Sequence, residues 1–157
     1  MKRDSRLSIV LHGLLHMKER DGPMTSAELA QCMDTNPVVV RRTFAGLRKA
    51  GLVSSGKGHG GGWVLGRDLE QVSLWQVYEA IGEPDFFALG NHAETPGCLI
   101  EQAINTRLDG TFEEARKLLV TRLSAISLGE IWAGVGVQFS AHHAHRAQKT
   151  KEDTHDA

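Results

Sequence analysis

SSGKGHGGGWVLGRD, residues 54–68, is the most informative segment of this chain. Five glycines fall between Gly56 and Gly62, and only Lys57 and His59 interrupt them. Glycine adopts backbone angles that other residues avoid, and it lets the chain pass close to another surface. The stretch therefore predicts a tight, basic tip rather than a regular element.

The segments on either side give this tip its context. A helical pattern over Val38–Ala50 ends at Gly51, and a short apolar run, Leu52–Val53, follows it. A second apolar run, Trp63–Leu65, comes after the glycines. Helix, strand, basic tip and strand form the outline of a winged helix, in which the tip of a β-hairpin carries a cation toward nucleic-acid phosphates.

Two other interpretations of the same residues stay open on the sequence alone. Gly56-x-Gly58-x-x-Gly61 formally matches the dinucleotide-binding fingerprint. That fingerprint needs a strand before it and a helix directly after it, so that helix amides hold the pyrophosphate. Trp63–Leu65 suits a strand better than a helix start, which disfavours this interpretation. An ordinary solvent-exposed hairpin is the second alternative.

Two short helices with strong start signals precede the hairpin. Thr25 and Glu28 form a capping box, in which each side chain can bond the backbone amide of the other residue. Asn36 followed by Pro37 is a helix start with a cap and a preset first residue. Two helices joined by a tight turn predict a helix-turn-helix whose second helix enters the major groove by its N-terminal end.

The second helix is predicted to present a polar, DNA-reading side. Val40, Phe44 and Leu47 recur on one side and should face the core. Arginines near the helix start can pair with phosphates or guanine edges, and valines there can contact a thymine methyl. With the start of the first helix and the wing tip, the expected DNA-binding residues are Thr25, Ser26, Asn36, Pro37, Val38, Val39, Arg41, Arg42, Lys57, Gly58, His59 and Gly60.

A long helical pattern begins at Cys98, and its span of 26 residues corresponds to about 39 Å. A single apolar stripe on such a helix usually packs against a partner, so the pattern predicts a homodimer. The expected dimer-interface residues are Ile100, Ile104, Leu108, Phe112 and Leu119. Capping-box patterns also predict helices that open at Ser73 and Ser127.

Composition and charge limit the classes of protein to which this chain can belong. A chain of 157 residues with 41% hydrophobic content suits one domain with a helical appendage, and no apolar run approaches the length of a membrane span. Residues 1–67 carry eleven Lys and Arg against five Asp and Glu, a net +6, whereas residues 68–157 carry a net −7. A basic front and an acidic back fit a nucleic-acid module joined to another part. We expect a cytoplasmic protein with no membrane partner, and no sequence motif indicates an enzyme.

Several stretches together resemble a known family. KAGLVSSGKGHGGGWVLGRD (49–68), VSLWQVYEAIG (72–82), SRLSIVLHGLL (5–15), GCLIEQAI (97–104) and LSAISLGEI (123–131) are similar to the Rrf2-type winged-helix regulators, the family of IscR, NsrR and CymR. The resemblance implies dimeric bacterial transcription factors whose long helix crosses to the partner subunit. By position, it implies base contacts from Asn36, Val38, Val39 and Arg41, and a minor-groove contact from Lys57.

The number of cysteines before the long helix differs from that in one branch of the family. Its cluster-binding members place three cysteines before the long helix, whereas this chain has only Cys98 there. We therefore expect no iron–sulfur cluster, no other cofactor and no metal site. Cys98 is a sensor candidate, because a helix start favours the thiolate. Cys32 is expected to be a core residue.

The sequence thus predicts a mainly α fold with a small β-hairpin: a winged helix-turn-helix (residues 1–82), a connecting or sensor loop (83–97), a long dimerisation helix with a short terminal helix (98–139) and a disordered tail (140–157). The expected function is sequence-specific binding to double-stranded DNA as a homodimeric regulator, and repression is expected over activation. Two alternatives are a form gated by redox chemistry or a small-molecule effector through Cys98, and a winged helix that contacts proteins without binding DNA.

Overall fold

The computed structural model describes residues 5–20, 22–58, 60–83 and 98–135. Its helices and strands follow the order of a winged helix-turn-helix with a long C-terminal helix, which confirms the predicted fold class. The elements are α1 (Arg6–Glu19), α2 (Ser26–Cys32), α3 (Pro37–Lys49), β1 (Val53–Ser55), β2 (Trp63–Leu65), a 3-10 turn (Leu69–Gln71), α4 (Leu74–Ala80), α5 (Leu99–Ala125) and α6 (128–135).

Local hydrogen bonds explain where the short helices begin. At α2, the Thr25 hydroxyl accepts from the Glu28 amide, while the Glu28 carboxylate accepts from the Thr25 amide, so the predicted capping box is confirmed. At α3, Asn36 Oδ1 accepts from the amides of Val38 and Val39 at 3.1 and 3.0 Å. These acceptors satisfy amides that have no partner within the helix, which fixes the first residue of each helix.

The capping boxes predicted for the later helices are also present. Ser73 exchanges hydrogen bonds with Gln76 at the start of α4. Ser127 does the same with Glu130 at the start of α6, at 2.7 and 3.1 Å.

The wing is a two-stranded antiparallel hairpin with a third backbone partner at its base. β1 and β2 pair in the register Val53 with Leu65 and Ser55 with Trp63. Met24, which precedes α2, forms a further antiparallel bridge with Trp63 through two backbone hydrogen bonds of 3.0 and 2.8 Å. An isolated two-stranded hairpin is only marginally stable in water, so this third contact helps to fix the wing.

The core lies where α1, α2, α3, α4 and the hairpin meet. Val40, Phe44 and Leu47 of α3 are fully buried, as predicted. Leu128, at the start of α6, is also fully buried, and its amide donates to the carbonyl of Val72 at 2.8 Å. The chain therefore returns to the winged helix after α5 and contributes to the same core.

α5 is long, and none of its residues is buried. Its C-terminal part lies against α4, where Arg116 donates to the Glu83 carboxylate at 3.1 Å and stands 5.7 Å from the ring centre of Trp75. Its N-terminal part exposes apolar side chains. Among the described residues, no helix is long and apolar enough to span a membrane.

The structure corrects some of the expectations from the sequence, and others concern residues that it does not describe. The first strand begins at Val53 and not at Leu52, because the Leu52 amide is held by the carbonyl of Leu47 at the end of α3. Trp75 and Ile81 are half-buried at the margin of the core. Residues 84–97 of the connecting loop and the 140–157 tail lie outside the described residues.

Candidate nucleic-acid interface

The start of α3 presents the side chains that the sequence assigns to base reading. Val38 is 65% exposed, and Arg41 and Arg42 are exposed, while Val39 is half-buried. The Pro37 ring lies at the first helical position, where its missing N–H leaves no donor unsatisfied. Two free arginines and a valine methyl surface at a helix N-terminus match the chemistry of guanine and thymine recognition.

The side-chain oxygen of Asn36 already accepts hydrogen bonds within the protein. Its Oδ1 caps α3, so only its NH2 group is left to contact DNA. An amide that both caps a helix and faces outward is held in one orientation. This constraint favours Asn36 as a donor to a base or a phosphate, and not as an acceptor.

The two adjacent hydroxyls at the start of α2, those of Thr25 and Ser26, differ in whether their proton is already used in a hydrogen bond. The Thr25 hydroxyl donates its proton to the Glu28 carboxylate at 2.8 Å. Ser26 instead accepts from the Trp63 indole N–H at 3.0 Å, and among the described residues nothing accepts the Ser26 proton. An indole N–H can only donate, so the Ser26 proton remains available for an acceptor outside the chain.

The charged side chains near the interface divide into those that are paired within the protein and those that are not. Hydrogen bonds from the Thr25 amide and hydroxyl, together with Arg20 at 2.7 Å, lower the pKa of Glu28 from 4.5 to about 2. Glu28 therefore stays ionised at neutral pH and keeps Arg20 beside it. Within the described part of the chain, Arg41, Arg42 and Lys57 have no such anionic partner.

The wing tip is open and carries one described cation. Lys57 is exposed, and the backbones of Gly58 and Gly60 have φ of +85° and +79°, which side-chain-bearing residues rarely adopt. The Gly61 amide donates to the Gly58 carbonyl at 3.0 Å and closes the turn. His59, a predicted DNA contact, lies outside the described residues.

This geometry excludes the dinucleotide-binding interpretation. Gly56, Gly58 and Gly61 form the turn between two antiparallel strands, and β2 follows them instead of a helix. The helix amides that would hold a pyrophosphate are therefore missing from this loop.

The base of the wing is tied to both helices of the helix-turn-helix. The Trp63 ring packs edge-on against Phe44 of α3, with 5.3 Å between ring centres, and its N–H reaches Ser26 of α2. Arg48, near the end of α3, donates to the Ser55 hydroxyl of β1 at 3.2 Å. Sequence reasoning did not predict these contacts of Trp63 and Arg48, because their partners lie far away in the chain or on another element.

The dimer-interface candidates divide into two groups along α5. Ile100, Ile104 and Leu108 are 73%, 54% and 37% exposed, whereas Phe112 and Leu119 are half-buried. The exposed group follows i, i+4 spacing in the N-terminal part of α5. The half-buried group lies further along the helix, toward the part in which Arg116 contacts Trp75 of α4.

The two cysteines lie on separate elements of the fold. Cys98 is half-buried at the N-cap of α5, and its side chain makes no capping hydrogen bond. Cys32 ends α2 and packs, half-buried, against the core. Among the described residues, no group of three or more His, Cys, Asp or Glu side chains could hold a metal ion.

Comparisons with known proteins agree with this architecture. The model of the Rrf2 family, described as iron-dependent transcriptional regulators, matches residues 3–134. A Bacillus subtilis protein named as the HTH-type transcriptional regulator YwnA is 31% identical over 128 residues, which cover 82% of this chain and 95% of that protein. The HTH-type transcriptional regulator IscR of Xenorhabdus nematophila is 35% identical over 77 residues, which cover 49% of this chain and 46% of that protein.

A solved structure supports the fold over a longer span. The crystal structure of a transcriptional regulator from Lactobacillus plantarum superposes with a TM-score of 0.71 and covers 92% of this chain and 99% of its own. Its sequence identity is 22%, so this likeness concerns the fold alone.

Proposed function

This chain belongs to the Rrf2 family of transcriptional regulators and is a DNA-binding regulator, not an enzyme; we propose that it represses transcription as a homodimer on a pseudo-palindromic operator. The observation that carries the proposal is the pairing of an exposed, basic start of α3 with a cationic wing tip. Family membership favours DNA binding over the protein-contact alternative. A bacterial regulator of this kind would work in the cytoplasm, beside the chromosome.

The proposed contacts follow from the free donors and apolar groups. In the major groove, Arg41 or Arg42 would donate to a guanine edge, and Val38 would contact a thymine methyl. Lys57 would enter the adjacent minor groove, where the glycines on both sides permit close approach. Ser26 is the hydroxyl at the start of α2 that can donate to a phosphate. Thr25, Pro37, Val39, Gly58, His59 and Gly60 would lie along the same surface.

The proposed dimer uses the N-terminal part of α5, whose apolar side chains are exposed. Isoleucines at 73% and 54% exposure on one side of a helix, continued by a partly exposed Leu108, leave apolar surface in water unless a partner covers it. A second copy of α5 offers the same stripe and is self-complementary under two-fold symmetry. The symmetry would place two reading helices on half-sites about 34 Å apart, or a multiple of that.

Selection of bound duplexes from a random library tests the function. We expect an enriched site with two inverted half-sites. An enriched site without symmetry would contradict the dimeric mode, and failure to enrich any sequence would contradict sequence-specific binding.

The wing's part is tested by the salt dependence of operator affinity. Each phosphate neutralised by a cation adds about 0.9 to the slope of log affinity against log salt. Lys57→Ala should weaken binding and flatten the slope by about that amount. Lys117→Ala on α5 is the matched control, because it removes the same charge far from the wing. Equal slopes for Lys57→Ala and the wild type would remove the wing from the mechanism.

The interface is tested by sedimentation. Ile104→Asp places a charge in the proposed interface and should shift the protein to monomer at micromolar concentration. Thr106→Asp is the control, because helical spacing puts residue 106 on the opposite side of α5. A dimer in Ile104→Asp as stable as in the wild type would place the interface elsewhere.

The residues present do not fit an iron–sulfur cluster. Such clusters are commonly held by four cysteine thiolates, and this chain has two cysteines in all, which lie on separate elements. We infer that the regulator works without a cluster. The visible absorption spectrum of anaerobically purified protein tests this inference, and absorption bands of an iron–sulfur cluster would overturn it.

The sensor role of Cys98 stays a prediction. Its thiol is half-buried at the N-cap of α5 and makes no capping hydrogen bond. If Cys98 responds to oxidants, peroxide should change the operator affinity of the wild type and leave Cys98→Ser unchanged. Equal responses of the two proteins would eliminate the cysteine as the sensor.

A further inference from the structure

Among the described residues of the wing tip, no side chain fixes the position of the tip, and backbone bonds such as Gly61 to Gly58 join only residues of the tip itself. Between Ser55 and Trp63, the described residues are glycines and the exposed Lys57, and none of their side chains packs against the core. The placement of Lys57 relative to the reading helix must therefore be set at the base of the hairpin.

Trp63 is the first residue after the tip whose side chain is anchored. It is 8% exposed, and its backbone bonds Met24 on one side while it pairs with Ser55 on the other. Its ring edge meets Phe44 of α3, and its N–H donates to Ser26 of α2 at 3.0 Å. One side chain thus joins the wing to both helices of the helix-turn-helix.

We propose that Trp63 is a positioning residue for DNA binding: its indole N–H bond to Ser26 locks the wing at the angle at which Lys57 and the start of α3 reach adjacent grooves together. The proposal rests on the proposed function and adds to it a residue that need not touch DNA. The Phe44 contact fills space, whereas the hydrogen bond is directional and selects one orientation of the indole ring. Loss of this bond should leave the core filled and the wing less well aimed.

Trp63→Phe is the discriminating variant, because it keeps an aromatic ring against Phe44 and removes only the N–H donor and part of the ring. Ser26→Ala removes the acceptor instead and does not disturb the aromatic pair. Trp63→Phe should lower operator affinity by about three- to tenfold, the worth of one hydrogen bond. Ser26→Ala should lower it by at least as much, because it also removes the hydroxyl proposed to donate to a phosphate. The double variant should lose less than the product of the two single losses, because both break the same bond.

A measurement specific to positioning is the factor by which Lys57→Ala lowers operator affinity in each variant; this factor is called the cost of Lys57→Ala. In the wild type, Lys57→Ala removes a correctly placed DNA contact, so the cost is the full contribution of that contact to affinity. In Trp63→Phe and in Ser26→Ala, the contact is already weakened, so Lys57→Ala should cost a smaller factor. Trp75→Phe is the matched control: Trp75 lies under α5, away from the wing, so this variant should bind like the wild type and keep the full cost of Lys57→Ala.

The outcomes separate this proposal from the proposed function. Smaller Lys57 costs in both Trp63→Phe and Ser26→Ala, in folded protein with unchanged far-UV circular dichroism, support the lock. Equal Lys57 costs in all backgrounds overturn the lock while the regulator remains a DNA-binding protein. If Trp63→Phe does not fold, Ser26→Ala alone decides by the same comparison. Absence of operator binding by the wild type would overturn the proposed function instead.

Discussion

Gly46 lies inside α3, where the reading helix passes α4 at close range. A Cβ added at this position would overlap the backbone carbonyl oxygen of Ala80 and come within 3.3 Å of its carbonyl carbon. A flexible side chain could move aside, but the backbone of a packed helix cannot do so cheaply. Gly46→Ala should therefore push α3 and α4 apart.

The magnitude follows from two opposing effects. Alanine is favoured over glycine in a helix interior by about 1 kcal/mol. Overpacking in a filled interior costs about 1–3 kcal/mol, and a clash with a backbone atom belongs at the upper end of that range. The net expectation is a loss of about 2 kcal/mol in the free energy of unfolding, or a fall of roughly 4–8 °C in Tm.

Gly110→Ala in α5 is the matched control. Outside its own helix backbone and its chain neighbours, no atom of the described residues lies within 4 Å of its added Cβ, so only the helix preference remains and Gly110→Ala should gain up to about 1 kcal/mol. Urea unfolding followed by circular dichroism, at one fixed protein concentration, measures both variants against the wild type. If Gly46→Ala proves as stable as the wild type, the close approach of α3 and α4 is wrong.

Three further perturbations have expected outcomes. Asn36→Ala removes the cap of α3 and should cost about 1 kcal/mol in urea unfolding, whereas Asn36→Asp, which keeps an acceptor, should cost less; equal losses would contradict the capping role. Because the pKa of Glu28 falls from 4.5 in its ordinary state to about 2 in the fold, its ionised form stabilises the protein above pH 4.5 and that contribution is lost as the pH falls toward 2. Glu28→Gln should thus be less stable than the wild type at pH 7, with the difference closing across that window in a pH series of unfolding curves; a constant difference would refute the assignment. Arg116→Met, which removes an exposed pair with Glu83 and a contact over Trp75, should cost at most about 1 kcal/mol and less in 1 M salt, and a larger, salt-independent loss would show that packing dominates this joint.

The features that the sequence predicts well are those made by neighbours in the chain. The caps at Thr25, Asn36, Ser73 and Ser127 each join residues two or three positions apart, so residue type and spacing are enough to place them. The end of α3 is equally local, because Gly51, just beyond the last helical residue Lys49, adopts φ of +72°.

The features that the sequence does not predict depend on distant pairs. Trp63 meets Ser26 across 37 positions, and Arg116 meets Glu83 across 33. The Met24 bridge to Trp63 and the burial of Leu128 arise only when the hairpin and the return after α5 are packed in place. Pattern and capping rules contain no term for such contacts, so Trp63 was read only as a strand residue.

The same limit applies to the candidate site. The spacing of Val38, Arg41 and Arg42 predicts their exposure because a helix has a fixed period. The sequence does not predict that Ser26, and not Thr25, keeps a free hydroxyl proton. This difference arises because the distant Trp63 N–H donates to Ser26, whereas the Thr25 hydroxyl donates to the nearby Glu28 carboxylate.

Chemical footprinting of the selected operator tests most directly whether the reading helix and the wing bind one duplex together. Hydroxyl radicals report on the minor groove, and methylation of guanine N7 reports on the major groove. The wild type should protect guanines within each half-site and also sugars in the adjoining minor groove, and Lys57→Ala should lose only the minor-groove protection. Protection confined to one groove, or a footprint of Lys57→Ala identical to that of the wild type, would contradict simultaneous contact by α3 and the wing.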